Sequence, residues 1–237
     1  KSKYAAILNI SPDHLERHGT IKNYISAKFK LIKNQNKNST VLINKFDKYI
    51  QNRIKKIKYK SKIIKVDTKI KKNFINKFDN EYFSSASNIE NLSFVIELAK
   101  KFNIKKDSLI RVVKKFKGLN YRQQIIFKTK NISIINDSKS TSYSSSIEML
   151  KRKDNIYWLM GGIPKIGDRF NLSQNDCQNI KGYIFGINQK KFLSDLRNKI
   201  KLKKFSNLKK AWISLIKDIK KDVSKEKKIL FSPAAAS

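Results

Sequence analysis

The chain reads as an α/β protein made of two sheet-forming units in series. Three observations predict this. Short apolar runs alternate with stretches of helical period from Tyr4 to Val66, the pattern of a parallel sheet with crossover helices. The same rhythm restarts beyond Gly118. Polar clusters stand where several of these runs stop, and open α/β sheets bind ligands there.

The length of 237 residues allows one large domain or two small ones. Hydrophobic residues make up 40% of the chain, enough to fill a core and to exclude wholesale disorder. The net charge of +36 would ordinarily suggest nucleic acid or an anionic membrane. Only 7 of the 54 basic residues are Arg, however, and Arg supplies the planar fork that reads phosphate and guanine. The Lys residues are spread through every segment beside abundant Ile and Asn, as an A+T-rich coding sequence would give. We therefore expect a solvated surface and no nucleic-acid partner. A single cysteine, Cys177, rules out an internal disulfide framework and a tetrahedral thiolate site. No apolar run approaches bilayer length and no secretory signal opens the chain, so the expectation is a cytoplasmic monomer without stable membrane insertion.

Tyr4–Ile10 reads as the first strand, already under way three residues from Lys1, so the chain is expected to begin elsewhere. A helix is predicted from Thr20, a cap preceded by Gly19, to Asn34, with Ile21, Tyr24, Ile25, Phe29 and Ile32 near one face. Strands follow at Thr40–Asn44 and Lys62–Val66 with a basic helix between. Residues 67–84 carry no periodic signal. A helix opening at Asn88 places Ile89, Leu92, Val95, Ile96 and Ala99 on its apolar side, and another runs from Lys106 to Phe116. Gly118–Arg122 is the expected domain boundary, giving domains of residues 1–120 and 121–237.

The second half should hold strands near Gln124–Phe127 and Ile132–Asn136, the latter buried through Ile132, Ile134 and Ile135. A helix then runs from about Ser142 to Leu150, with Thr141, Ser142 or Ser144 as its cap. Further strands are expected at Ile156–Met160, Tyr183–Phe185, Ile200–Phe205 and Ile229–Phe231, with Leu196 and Leu208–Ile219 in intervening helices.

Three strand-end loops carry candidate chemistry. Asp13-His14 follows the first strand, and His14 could ligate a metal or act as a base, although a lone His is usually a hydrogen-bonded loop residue. Lys28 shares a helix face with Tyr24. Asn136-Asp-Ser-Lys-Ser-Thr141 crowds an acid, a base and hydroxyls at one strand end, suited to phosphate, metal or an amino acid, or to nothing beyond a capped turn. Gly161-Gly-Ile-Pro-Lys165 ends another strand.

Taken together, Asn9-Ile-Ser-Pro-Asp-His-Leu-Glu-Arg-His-Gly-Thr20 and Tyr24-Ile-Ser-Ala-Lys28 resemble the central domain of the Mur ligases. Ser87-Asn-Ile-Glu-Asn91 and Gly118-Leu-Asn-Tyr-Arg122 are similar to further segments of that family, in the same order. Ile135-Asn-Asp-Ser-Lys-Ser-Thr141, Gly161–Lys165 and Leu230-Phe-Ser-Pro-Ala-Ala-Ala-Ser237 are most like its D-glutamate-adding branch.

The resemblance implies part of a central ATPase domain followed by a Rossmann-like C-terminal domain. It implies ATP and Mg²⁺ as cofactors, with UDP-N-acetylmuramoyl-L-alanine and D-glutamate as substrates. His14 and Lys28 would hold the metal, Lys28 as a carbamate, and Lys139 would stand near the transferred phosphate. Asn88, Asn91, Arg122 and Asp137 would contact nucleotide, and Thr141, Lys165 and Ser237 would take D-glutamate. The family's Gly-rich phosphate loop does not occur in these residues, and Ser87 and Tyr121 stand where His is common. The expectation is a piece lacking the N-terminal domain, the phosphate loop and the extreme C-terminus, and inactive alone. A folylpolyglutamate-type ligase is the alternative within the fold, and a basic nucleic-acid-binding protein the alternative outside it.

Overall fold

The computed structural model describes residues 2–11, 15–70, 72–151, 154–165 and 167–235. The chain divides into two compact units, Lys1–Phe116 and Lys117–Ser237.

The first unit runs β1 (Tyr4–Ile7), α1 (Leu15–His18), α2 (Ile21–Lys33), β2 (Thr40–Asn44), α3 (Lys48–Ile54), β3 (Lys62–Val66), α4 (Lys72–Ile75), α5 (Ala86–Lys101) and α6 (Lys106–Lys115). Its three strands form a parallel sheet in the order β1-β2-β3. β2 is central and buried throughout, and its alternation explains why. Val41 and Ile43 pack with Phe29, Ile32 and Ile50 of the helices on one face. Leu42 packs with Val66 and Phe94 on the other.

Thr20 caps α2 as expected, its hydroxyl accepting the Asn23 amide at 3.2 Å. Two expectations change. Helix α5 starts at Ala86 behind Ser85, which accepts the Asn88 amide, so Asn88 is inside the first turn and does not open it. Val95 is 48% exposed, because Leu92, Ile96 and Ala99 already complete the buried stripe. Residues 74–84 are held by aromatic packing without period. Phe78 and Phe83 are buried against Leu92, Ile96 and Val113, each carried on a short 3₁₀ turn.

The second unit runs β4 (Gln124–Lys128), β5 (Ile132–Asn136), α7 (Tyr143–Leu150), β6 (Asn155–Met160), β7 (Ile180–Phe185), α8 (Gln189–Leu196), β8 (Lys201–Phe205), α9 (Leu208–Lys221) and β9 (Lys227–Phe231). Six strands form one sheet in the order β4-β5-β9-β6-β7-β8. Every pairing is parallel except β4 with β5. That edge pair is antiparallel because residues 129–131 are too few for a crossover, so the sheet is mixed where a wholly parallel one was expected.

Trp158, Leu150 and Phe192 fill the core on the α7 and α8 face. Tyr157, Leu159, Tyr183 and Leu215 fill it beneath α9. Only Ile135 of the three β5 isoleucines is fully buried. Ile132 and Ile134 are half-buried, since α9 lies over β6, β7 and β8. No helix among the described residues is long and apolar enough to cross a membrane.

Candidate functional site

The strand order decides where the polar clusters of the second unit meet. β5, β9 and β6 are adjacent and parallel, with Asn136 beside Phe231 and Phe231 beside Leu159. Their carboxyl ends therefore lie side by side, and three loops issue from one stretch of sheet edge. These are the loop before α7, the segment after Phe231 and the loop after Met160.

Asp137 is the hub. It is 4% exposed, and its carboxylate accepts the Gln123 amide at 3.0 Å, the Ser140 hydroxyl at 2.5 Å and the Ser232 hydroxyl at 3.2 Å. Ser232 in turn meets Ser146 of α7 at 2.6 Å, with both residues wholly buried. Burial raises the Asp137 pKa above its usual 3.8; the three donors and nearby Arg122 pull it back only in part. Main-chain bonds tighten the same knot. The Asp137 amide donates to Phe231, that of Ala234 to Ser140 and that of Gly161 to Pro233. Buried Trp158 donates its indole N–H to the Ser232 carbonyl at 2.7 Å.

Backbone strain gathers here too. Tyr121, Gln123 and Ala234 all have positive φ, at 66°, 48° and 54°. Such conformations cost energy in non-glycine residues and persist where surroundings over-determine them. Asp137 holds the Gln123 amide, and the Lys139 amide donates to the Tyr121 carbonyl at 3.1 Å. Arg122 is thus presented, exposed, by a turn clamped from both sides. Lys139 is exposed, whereas Thr141 and Lys165 are half-buried. Gly161 is required where it stands, since a Cβ would come within 2.4 Å of the Phe185 carbonyl oxygen.

The geometry thus brings together Arg122, Asp137, Lys139 and Thr141, with Lys165 on a neighbouring loop. Ser237 lies outside the described residues. Ser140 and Ser232 lay within the Asn-Asp-Ser-Lys-Ser-Thr and Ser-Pro-Ala-Ala-Ala-Ser stretches without an assigned role, and sequence reasoning missed Gln123, Ser146 and Asp168, which stand outside both.

In the first unit, His14 lies outside the described residues. The segment after β1 is held by Asp47, whose carboxylate takes the Ile10 amide at 2.8 Å while capping α3. Lys28 is exposed on α2, its ammonium 4.9 Å from the centre of the Tyr24 ring. No group of three or more His, Cys, Asp or Glu side chains is placed to hold a metal among the described residues. An ammonium has no lone pair, so Lys28 as it stands does not fit a Mg²⁺ site, which takes oxygen ligands. Asn88 is buried and donates its side-chain amide to the Tyr82 carbonyl at 2.7 Å, whereas Asn91 is exposed.

Residues 1–108 match the Mur ligase middle domain. The whole chain is 31% identical to a UDP-N-acetylmuramoylalanine–D-glutamate ligase of Rickettsia felis, and 99% of it is 32% identical to that of Rickettsia prowazekii. These matches make the chain similar to members of the Mur ligase family. The chain spans 56–57% of the length of those two relatives. Among solved structures it resembles MurF from Acinetobacter baumannii, with a TM-score of 0.71 at 16% identity over 98% of this chain and 57% of that one. MurF ligase from Thermotoga maritima in complex with ADP gives 0.68 at 14% identity, covering 98% of this chain and 58% of that one. These likenesses confirm the α/β architecture of the Mur ligase fold.

Proposed function

We propose that this chain supplies part of an ATP-dependent ligase joining D-glutamate to UDP-N-acetylmuramoyl-L-alanine in peptidoglycan precursor synthesis, in the cytoplasm. Residues 1–120 would be the later part of the central ATP-binding domain, and residues 121–237 the amino-acid-binding domain. The observation that carries the reading is the shared carboxyl edge of β5, β9 and β6. It gathers loops bearing Thr141 and Lys165 near Arg122, which is clamped between the positive-φ residues Tyr121 and Gln123.

In this reading the muramoyl carboxylate takes the γ-phosphoryl group of ATP, releasing ADP, and the neutral amine of D-glutamate displaces phosphate from the acyl phosphate. Arg122 offers a fixed cation to phosphate oxygens. Asn88, Asn91 and Asp137 belong to the nucleotide side, with Lys139 near the transferred phosphate. Lys165 pairs with a substrate carboxylate and Thr141 adds a hydroxyl donor, with Ser237 completing the pocket. Mg²⁺, held by His14 and a carbamylated Lys28, would supply charge neutralisation. Lys28 can ligate only after that modification.

Titrating the 237-residue chain with D-glutamate tests the pocket. Lys165→Ala should weaken binding strongly, by about 2–5 kcal/mol if the charge pair is well desolvated. Thr141→Ala should cost about 1.5–3 kcal/mol, one hydrogen bond to a charged group. Unchanged affinity in both variants would remove the assignment. The same chain, having no phosphate loop to cradle the β- and γ-phosphates, should release no phosphate from ATP above the blank.

A further inference from the structure

The loop after β6 carries an acid that the proposed mechanism leaves unused. Asp168 reaches across to α7, and its Oδ2 accepts the Tyr143 amide at 2.6 Å. The Ser144 amide also bonds this carboxylate. These are the first two amides of the helix, ahead of which stands Thr141. They belong to the group of N–H donors that a helix cannot satisfy internally. Ser142, the N-cap, accepts the Ser145 amide of the same turn, so the two acceptors divide the helix start between them.

The receiving end is rigid. The Tyr143 ring is 1% exposed and meets Trp158, Phe170 and Phe192 edge-on, which fixes the direction of its backbone. The loop therefore conforms to the helix. Lys165 sits three residues before Asp168 in that loop, and its carbonyl accepts the Asp168 amide at 3.4 Å. Burial raises the Asp168 pKa, and the two helix amides with the charges of Lys191 and Lys165 offset this only in part.

We infer that Asp168 is a positioning residue for the amino-acid pocket: by closing the amide end of α7 it ties the Lys165 loop to the Thr141 loop. The inference rests on the proposed role of Lys165 and Thr141 in holding D-glutamate. Asp168 itself needs no contact with the substrate. Its effect is to remove the freedom of two loops relative to each other, and pre-ordering of this kind raises affinity without adding a contact.

The test is an NMR titration of the 237-residue chain with D-glutamate, in wild type, Asp168→Ala, Asp168→Asn and Lys165→Ala. Wild type should show saturable shifts near residues 141 and 165. Asp168→Ala should weaken binding about tenfold, the equivalent of about 1.4 kcal/mol. It should also move the Tyr143 and Ser144 amide protons upfield as their acceptor is lost. Asp168→Asn keeps one acceptor oxygen, so it should restore the Tyr143 amide signal and most of the affinity. A role confined to fold stability would lower the melting temperature in Asp168→Ala without changing the affinity of the folded fraction. If Lys165→Ala weakens binding and Asp168→Ala does not, the inference is wrong and the pocket stands. If wild type does not saturate, or Lys165→Ala binds as wild type does, the pocket reading itself fails and takes the inference with it.

Discussion

The loop after β5 and the exposed face of α2 both offer charged side chains suited to phosphate-transfer chemistry, and the fold treats them in opposite ways. Asp137 is taken out of water and given three donors, two of them buried hydroxyls, one from its own loop and one from the segment after β9. Lys28 is left in solvent with a tyrosine ring for company. A group locked by buried hydrogen bonds can serve as a fixed frame, but it has little freedom to change state. A solvated amine is open to chemistry on itself. The contrast teaches that one locus is organised by folding, while the other, in the proposed reading, would hold a metal only once modified.

Breaking the frame should have the largest effect. Asp137→Ala leaves the Gln123 amide and two hydroxyls without their acceptor. Since each orphaned buried group costs about 1–3 kcal/mol, unfolding in urea should show a loss on the order of 3 kcal/mol. A loss below about 1 kcal/mol would show that Asp137 is not the hub. Asp137→Asn isolates the charge. Burial holds the folded pKa above 3.8, so the folded state keeps this proton more tightly than the unfolded chain. The group's contribution is therefore full below the unfolded value and is lost as pH rises through the folded one. The stability of wild type relative to Asp137→Asn should accordingly fall from about pH 4 upward. A difference that grew with pH would mean that the donors outweigh desolvation.

Ser146→Ala comes next. It removes a wholly buried hydroxyl and one bond of the Ser232 relay, and should cost about 1–2 kcal/mol in the same measurement. In the first unit, Thr20→Ala deletes the cap of α2 and should cost about 1 kcal/mol. Lys28→Ala should change stability least, within about 0.5 kcal/mol, as a surface substitution does. A large loss there would overturn the contrast, because it would make Lys28 part of the fold. In an assay of a full-length ligase containing this chain, Lys28→Ala should nevertheless cripple turnover, with partial recovery on adding a small carboxylic acid. Lys30→Ala should leave turnover intact.

Much of the fold was legible because its signals are local. β2, β3 and β5 have the bounds that their apolar runs gave, and Thr20 and Ser142 cap where hydroxyls precede amphipathic stretches. Residues 67–84 were opaque because Phe78 and Phe83 pack as single aromatic anchors, with no period to read. The reversed direction of β4 was missed although its three-residue connection announced it. At the site, the polar residues of the β5 loop were found from their crowding. Which of them face inward was not legible, because that depends on Ser232, 95 residues away along the chain. Asp168 escaped for a similar reason, since its partners are amides and amides leave no mark in a sequence.

Trp158 is 0% exposed, and its indole is bonded to the segment that follows β9. The other tryptophan, Trp212, is 36% exposed on α9. The knot of loops therefore carries its own optical probe. The two fluorophores differ in their access to water, so a soluble quencher separates their emission. The shielded fraction then tracks the environment of the Ser232 carbonyl, and loosening of the loops can be followed by light without a label.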